Sequence, residues 1–150
     1  MTIDTDILAA LVSKKHACLA QLHALAERQL SLIADGKLGD LLRVLAAKQQ
    51  LLADMQEIER KLAPFRKQEP ADRRWRNPAD RDRCAEQLDR CESLLADILR
   101  REKQGELELK QRRDEAAVQL RGAHSAGHAR QAYTSPYDAQ RGGLDLTSEF

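Results

Sequence analysis

The chain has 150 residues, of which 42% are hydrophobic and 3% aromatic, and its formal charge is only +1. That balance argues against a whole-protein attraction for nucleic acid or anionic lipid. There are 23 Leu and 22 Ala against eight Val and Ile together, a composition that favours helices over sheets. We predict an all-α fold: an antiparallel three-helix coiled-coil bundle in residues 1–122, with one long third helix and a flexible C-terminal tail at 123–150.

The first two predicted helices cover about residues 4–34 and 38–66. Apolar residues recur at spacings of three and four, and Gly36 follows the last periodic residue of the first helix as a stop signal. Lys15 and Gln29 interrupt its stripe, and such polar insertions help to fix register. The short connection predicts an antiparallel hairpin. The expected main stripe of the second helix is Leu38, Leu41, Leu45, Leu52, Met55 and Leu62.

The third predicted helix covers about residues 78–121, after a break at 66–77. Asn77 is a favourable N-cap and Pro78 suits the first helical position. The expected stripe begins with Cys84, Leu88, Cys91, Leu95 and Ile98. A helix of this length extends roughly 65 Å, and each of the first two roughly 40 Å. The first two therefore cover only part of the third, and we expect the half beyond Gly105 to be available for a partner.

The tail contains Gly, Ser and Pro without periodicity, which is typical of disorder, yet it holds three of the five aromatic residues. Aromatic residues in such a segment are candidate anchors for folding upon binding. The predicted partner-binding residues are Leu109, Arg112, Ala116, Leu120, Tyr133 and Tyr137.

No motif for catalysis is present, so we expect no enzymatic activity and no cofactor. His124 and His128 have the i,i+4 spacing of a two-histidine metal site, but no neighbouring Cys or carboxylate completes a ligand set, and no metal is expected. The three cysteines read as buried seam residues of a reducing compartment. No apolar run approaches the roughly 20 residues that span a bilayer. We expect a cytoplasmic protein without membrane insertion.

A basic loop is the main competing signal. Residues 66–83 contain seven basic and four acidic residues, with Trp75 among the arginines. Arginine beside an exposed aromatic residue can bind single-stranded nucleic acid. The alternative is a solvated loop whose Trp75 folds back onto one end of the bundle. We favour that alternative and expect no nucleic-acid partner, because the interleaved acids would repel a phosphate backbone.

The arrangement resembles the FlgN-type flagellar export chaperones. The resemblance rests on GDLLRVLAAKQQLLADM at residues 39–55, the Asn-Pro start of the third helix, and RRDEAAVQLRGAH at residues 112–124. It implies a cytoplasmic chaperone of flagellar type III export. Such a chaperone binds C-terminal helices of hook-associated (hook–filament junction) proteins, prevents their premature assembly and delivers them to the export apparatus. In that family the C-terminal portion binds the substrate.

Two other functions stay open at this stage. A coiled-coil adaptor or structural protein would pair the exposed half of its third helix with itself, as in a homodimer. A nucleic-acid-binding module would use the Arg/Trp loop.

Overall fold

The computed structural model describes the backbone of residues 3–144 and the side chains of residues 3–133, and this part of the chain is all-α. It contains α1 (Asp4–Asp35), α2 (Leu38–Arg66) and α3 (Pro78–Leu144), with a single 3-10 turn at Pro70–Asp72. The predicted fold class is confirmed. Among the described residues, none of the helices contains an apolar stretch long enough to cross a bilayer.

The helix ends follow the local signals in the sequence. Gly36 has a φ of 69° and closes α1, and its N–H and that of Lys37 donate to the carbonyls of Ile33 and Leu32. Only glycine enters this left-handed region without a steric penalty, so α1 ends there. At the start of α3, the Asp80 N–H donates to the Asn77 side chain at 3.0 Å, which confirms the predicted N-cap.

Side-chain contacts define the directions of the helices within the unit Met1–Glu108. The ion pair of Lys15 with Glu59 (2.8 Å) joins the first half of α1 to the second half of α2, so these helices are antiparallel. Arg76, just before α3, pairs with Asp6 at the start of α1 (2.9 Å), and Arg101, further along α3, pairs with Glu27 in the second half of α1 (3.1 Å), so α1 and α3 are parallel. The order is therefore up-down-up, as in an antiparallel bundle.

Helix α1 is the centre of this unit. It carries eleven buried residues, whereas α2 carries four. Val12 and Leu19 of α1 are the largest fully buried side chains, and the cysteines of α3 belong to the same core. A second, smaller core lies at the hairpin end, built from Leu32, Ile33, Leu41 and Val44. Burial on two sides makes α1 the element on which the whole core depends.

The predicted apolar stripes of α2 and α3 are wrong in part. Leu38, Leu45 and Leu52 are exposed, and so are Leu88 and Leu95 of α3. For Leu45 and Leu52 of α2, the residue one position earlier packs in the seam instead, namely Val44 and Leu51. Adjacent residues differ by about 100° around a helix, so a helix that buries only a narrow stripe, such as α2, leaves one of two neighbouring apolar residues outside it. Helix α1 buries both members of pairs such as Leu11 and Val12, because it is packed on two sides. The exposed leucines lie beside the seam.

A polar layer crosses the bundle near the hairpin end. Gln29 is only 6% exposed, and its carbonyl accepts a hydrogen bond from the Lys48 ammonium at 2.8 Å. The same ammonium also pairs with the Glu102 carboxylate. The two predicted polar insertions of α1 thus each have a partner on α2, because Lys15 pairs with Glu59. A buried polar group that finds its hydrogen-bond partner in just one register disfavours every other alignment of the helices.

The end of α3 differs from the prediction. We expected this helix to end near Arg121, and it continues to Leu144. Gly122 and Gly127 each disfavour helix by about 1 kcal/mol, but alanine, the strongest helix former, recurs every third residue from 123 to 132. Residues 109–133 are all exposed, so this helical segment has no tertiary packing to stabilise it. Such a helix is marginal in water, which fits the predicted flexible tail.

Candidate partner-binding surface

The structure divides into two units, Met1–Glu108 and Leu109–Phe150. Gly105 is the last buried residue of α3 among the described side chains. A Cβ added there would lie 3.4 Å from the Gln29 amide nitrogen and 3.6 Å from Leu30 and Ile33, so the α3 backbone approaches α1 closely at this point. The prediction that α3 is exposed beyond Gly105 is confirmed for residues 109–133.

Four of the predicted partner-binding residues share one helical face. With about 100° per residue, Leu109, Arg112, Ala116 and Leu120 fall within a sector of about 80°. All four are exposed, and Leu120 is 71% exposed. We call these four residues the α3 face. An exposed apolar row with a cation among its members is the pattern of a helix that receives another helix.

The two tyrosines stand differently. Tyr133 is 86% exposed and lies about 120° around the helix from Leu109, off the α3 face. Tyr137 lies within the helical range, but its side chain falls outside the described residues. The structure therefore does not bring Tyr133 together with the α3 face.

A second apolar pair lies on the other side of the same helix. Leu107 and Val118 are 60% and 59% exposed, and they lie about 160° to 180° around the helix from Leu109. Neither residue was among the predicted binding residues. Their spacing of eleven residues, equal to that from Leu109 to Leu120, was the signal that could have identified them.

His124 and His128 come together because α3 continues through them, where a flexible tail was predicted. Their Nε2 atoms lie 2.9 Å apart and the rings meet edge to face. Among the described residues no group of three or more His, Cys, Asp or Glu side chains is placed to hold a metal ion. The pair is an exposed hydrogen-bonded contact on the helix surface.

The basic loop is anchored to the bundle. Trp75 packs against the main core, as the favoured interpretation of this loop predicted. Arg76 forms a fork on the Asp6 carboxylate at 2.9 to 3.1 Å, which lowers the pKa of Asp6. The Thr5 hydroxyl donates to the Arg74 carbonyl at 2.7 Å. These contacts fasten the loop to the start of α1.

The three cysteines lie in the core and are not arranged for chemistry. Burial raises the pKa of all three thiols above the ordinary value, and for Cys84 the nearby Arg73 offsets only part of this rise. A raised pKa keeps a thiol protonated at neutral pH, and the thiol form is neither nucleophile nor metal ligand. These residues are therefore apolar core residues, as expected.

No protein-family model matches the chain, and no curated protein or solved structure is significantly similar to it.

Proposed function

We propose that this protein binds an amphipathic helix of a partner on the α3 face, and that it serves as a cytoplasmic chaperone of flagellar type III export. Its partners would be the C-terminal helices of hook-associated proteins, which it would keep from premature assembly and deliver to the export apparatus. The role is binding without catalysis. The observation that carries the proposal is that every residue from 109 to 133 is exposed, in a helix that bears an apolar face.

The physical reason is the unburied apolar area. An unpacked helix of this length is marginally stable alone, so burial of Leu109 and Leu120 against a partner helix would stabilise both. Arg112 can pair with a carboxylate at the rim of such an interface, which sets orientation more than affinity. The assignment to flagellar export rests on the sequence resemblance to FlgN-type chaperones.

The test is a calorimetric titration of the full chain with the C-terminal segments of hook-associated proteins from the same organism. The double variant Leu109→Asp/Leu120→Asp should weaken binding by about thirtyfold or more, the size of an interface hot spot. The matched control is Leu107→Asp/Val118→Asp, which has the same spacing and similar exposure on the opposite side of the helix. Equal loss in both variants would contradict the assignment to the α3 face.

The tail carries its own test. Truncation after Gly122 removes Tyr133 and Tyr137 and should weaken binding while leaving the thermal unfolding of the bundle unchanged. Unchanged affinity would show that the tail takes no part.

A second candidate, self-association through α3, is favoured by the presence of apolar residues on two sides of this helix. A helix with two apolar faces suits a multi-helix assembly of identical chains. Sedimentation would then show a mass that rises with concentration and falls back in the Leu107→Asp/Val118→Asp variant. A monomer at all concentrations, together with binding to the flagellar segments, would support the chaperone.

A further inference from the structure

Two imidazoles on the exposed part of α3 are arranged as a pair of metal ligands. The Nε2 atoms of His124 and His128 lie 2.9 Å apart, and both side chains are exposed to solvent. One Nε2 carries the proton of this hydrogen bond. When that ring takes its other neutral tautomer, with the proton on Nδ1, both Nε2 atoms present lone pairs to an ion. The expectation of no metal assumed a complete set of protein ligands, but water can fill the remaining positions of a bound ion.

The separation of the two nitrogens indicates which ions fit. Metal–imidazole bonds are about 2.0–2.1 Å long, so two nitrogens at a right angle on one ion lie about 2.9 Å apart, and two at the tetrahedral angle lie about 3.3 Å apart. The observed 2.9 Å matches the right angle. Nitrogen pairs at a right angle belong to the square-planar and tetragonal geometries of Cu²⁺ and Ni²⁺, whereas Zn²⁺ prefers the tetrahedron.

The chemistry of the surrounding residues favours the same ions. Residues 116–133 contain no Asp, Glu or Cys, so this segment offers neither the carboxylates that Mg²⁺ and Ca²⁺ prefer nor a thiolate. Imidazole is a ligand that suits copper and nickel. Arg121 lies one turn before His124 and adds positive charge, so we expect a moderate affinity for a cation.

The pair spans the part of α3 that is least stable as a helix. Gly127 lies between the two histidines and Gly122 lies just before them, and each disfavours helix relative to alanine. Every residue from 109 to 133 is exposed, so no tertiary packing compensates for these glycines. An ion that holds both imidazoles binds the helical form and not the unwound form, so it shifts the equilibrium toward the helix.

We propose that His124 and His128 bind one divalent ion of the copper and nickel class through their Nε2 atoms, and that the ion clamps the helical turn between them. The two histidines lie about 40° and 80° around the helix from Leu120, beside the α3 face and not on it. A bound ion therefore leaves the α3 face free. The inference does not rest on the proposed function or on the flagellar assignment.

The test is a calorimetric titration of the full chain, prepared without a histidine tag, with nickel chloride in a buffer that does not bind metal. Far-UV circular dichroism is recorded across the same titration. We expect one saturable site per chain, and the helical signal should rise as the site fills because the clamped turn no longer unwinds. The absence of saturable binding would overturn the site, and binding without a rise in helical signal would overturn the clamp.

Two variants separate the pair from histidines that act singly. His128→Asn should weaken nickel binding by about tenfold or more, because one imidazole lacks the advantage of two linked ligands. The matched control His128→Asn/Ala126→His keeps the number of histidines but places the two about 200° apart around the helix, and it should bind as weakly as His128→Asn. Both changes lie at exposed positions outside the bundle core. Parent-like affinity in either variant would refute the assignment, because separate histidines would then hold the ion.

Discussion

The polar layer around Lys48 allows a stability prediction that can be worked out atom by atom. Lys48→Met keeps the buried aliphatic stem and removes the ammonium that serves both Gln29 and Glu102. The Gln29 carbonyl then loses its donor in a side chain that is 6% exposed, at a cost of about 1–3 kcal/mol. Glu102 is 30% exposed and partly hydrated, so the loss of its partner adds only about 0.5–1 kcal/mol. We expect a total loss of about 1.5–4 kcal/mol.

Urea unfolding followed by the fluorescence of Trp75, the only tryptophan, measures this loss. With a slope of about 1.5–2 kcal/mol/M, the midpoint should fall by roughly 1–3 M. Lys14→Met, an exposed lysine on α1, is the control and should move the midpoint little.

The decisive comparison is the triple variant Gln29→Leu/Lys48→Met/Glu102→Leu. It leaves no polar atom unsatisfied, so its free energy of unfolding should return to within about 1 kcal/mol of the parent or exceed it. A triple variant as unstable as Lys48→Met alone would refute the reasoning, because the loss would then not come from unpaired buried groups. A neutral Lys48→Met would refute it equally.

Three further results are expected. Asp97→Asn should reduce stability at neutral pH, and the difference from the parent should shrink as the pH falls below about 4. The pKa of Asp97 is well below its usual range because Arg100, His23 and Arg101 form hydrogen bonds with its carboxylate. The contribution of Asp97 to stability is therefore present above the ordinary carboxyl pKa and is lost only as the pH falls toward the pKa in the folded state. A parallel pH dependence of the stability of both proteins would contradict this. Gly105→Ala should raise the free energy of unfolding by up to about 1 kcal/mol, because alanine favours helix and the added Cβ meets only ordinary van der Waals contacts. Thermal unfolding would show this as a higher midpoint. A lower midpoint would mean that α3 approaches α1 more tightly than these distances indicate. Alkylation of the thiols by iodoacetamide at neutral pH should be slow until urea unfolds the bundle, and mass spectrometry would detect any early modification of Cys18, Cys84 or Cys91.

The sequence predicted best what is decided locally. The left-handed Gly36 and the Asn77 cap depend only on their own neighbourhood, and both ends were predicted to within a residue. The seam was harder, because α2 carries apolar residues at adjacent positions such as Val44 and Leu45. Which of the two faces α1 depends on the packing of three helices at once, and the spacing of one helix cannot decide it.

The candidate sites show the same limit. The α3 face could be identified because its spacing is intact in a single helix. Tyr133 was assigned to a tail that would fold over a partner, so its position around a continuous helix was not part of the prediction.

The central place of α1 has a consequence for the order in which the protein can be made. Synthesis delivers α1 and α2 first, and their hairpin can close by contacts between near neighbours in the chain, which is fast. One flank of α1 stays uncovered until Cys84, Cys91 and Ile98 have been synthesised and can pack on it. At about 5–20 residues per second, that flank is exposed to solvent for some seconds on each nascent chain. Substitutions that make it more apolar would therefore promote aggregation during synthesis even where they stabilise the finished bundle.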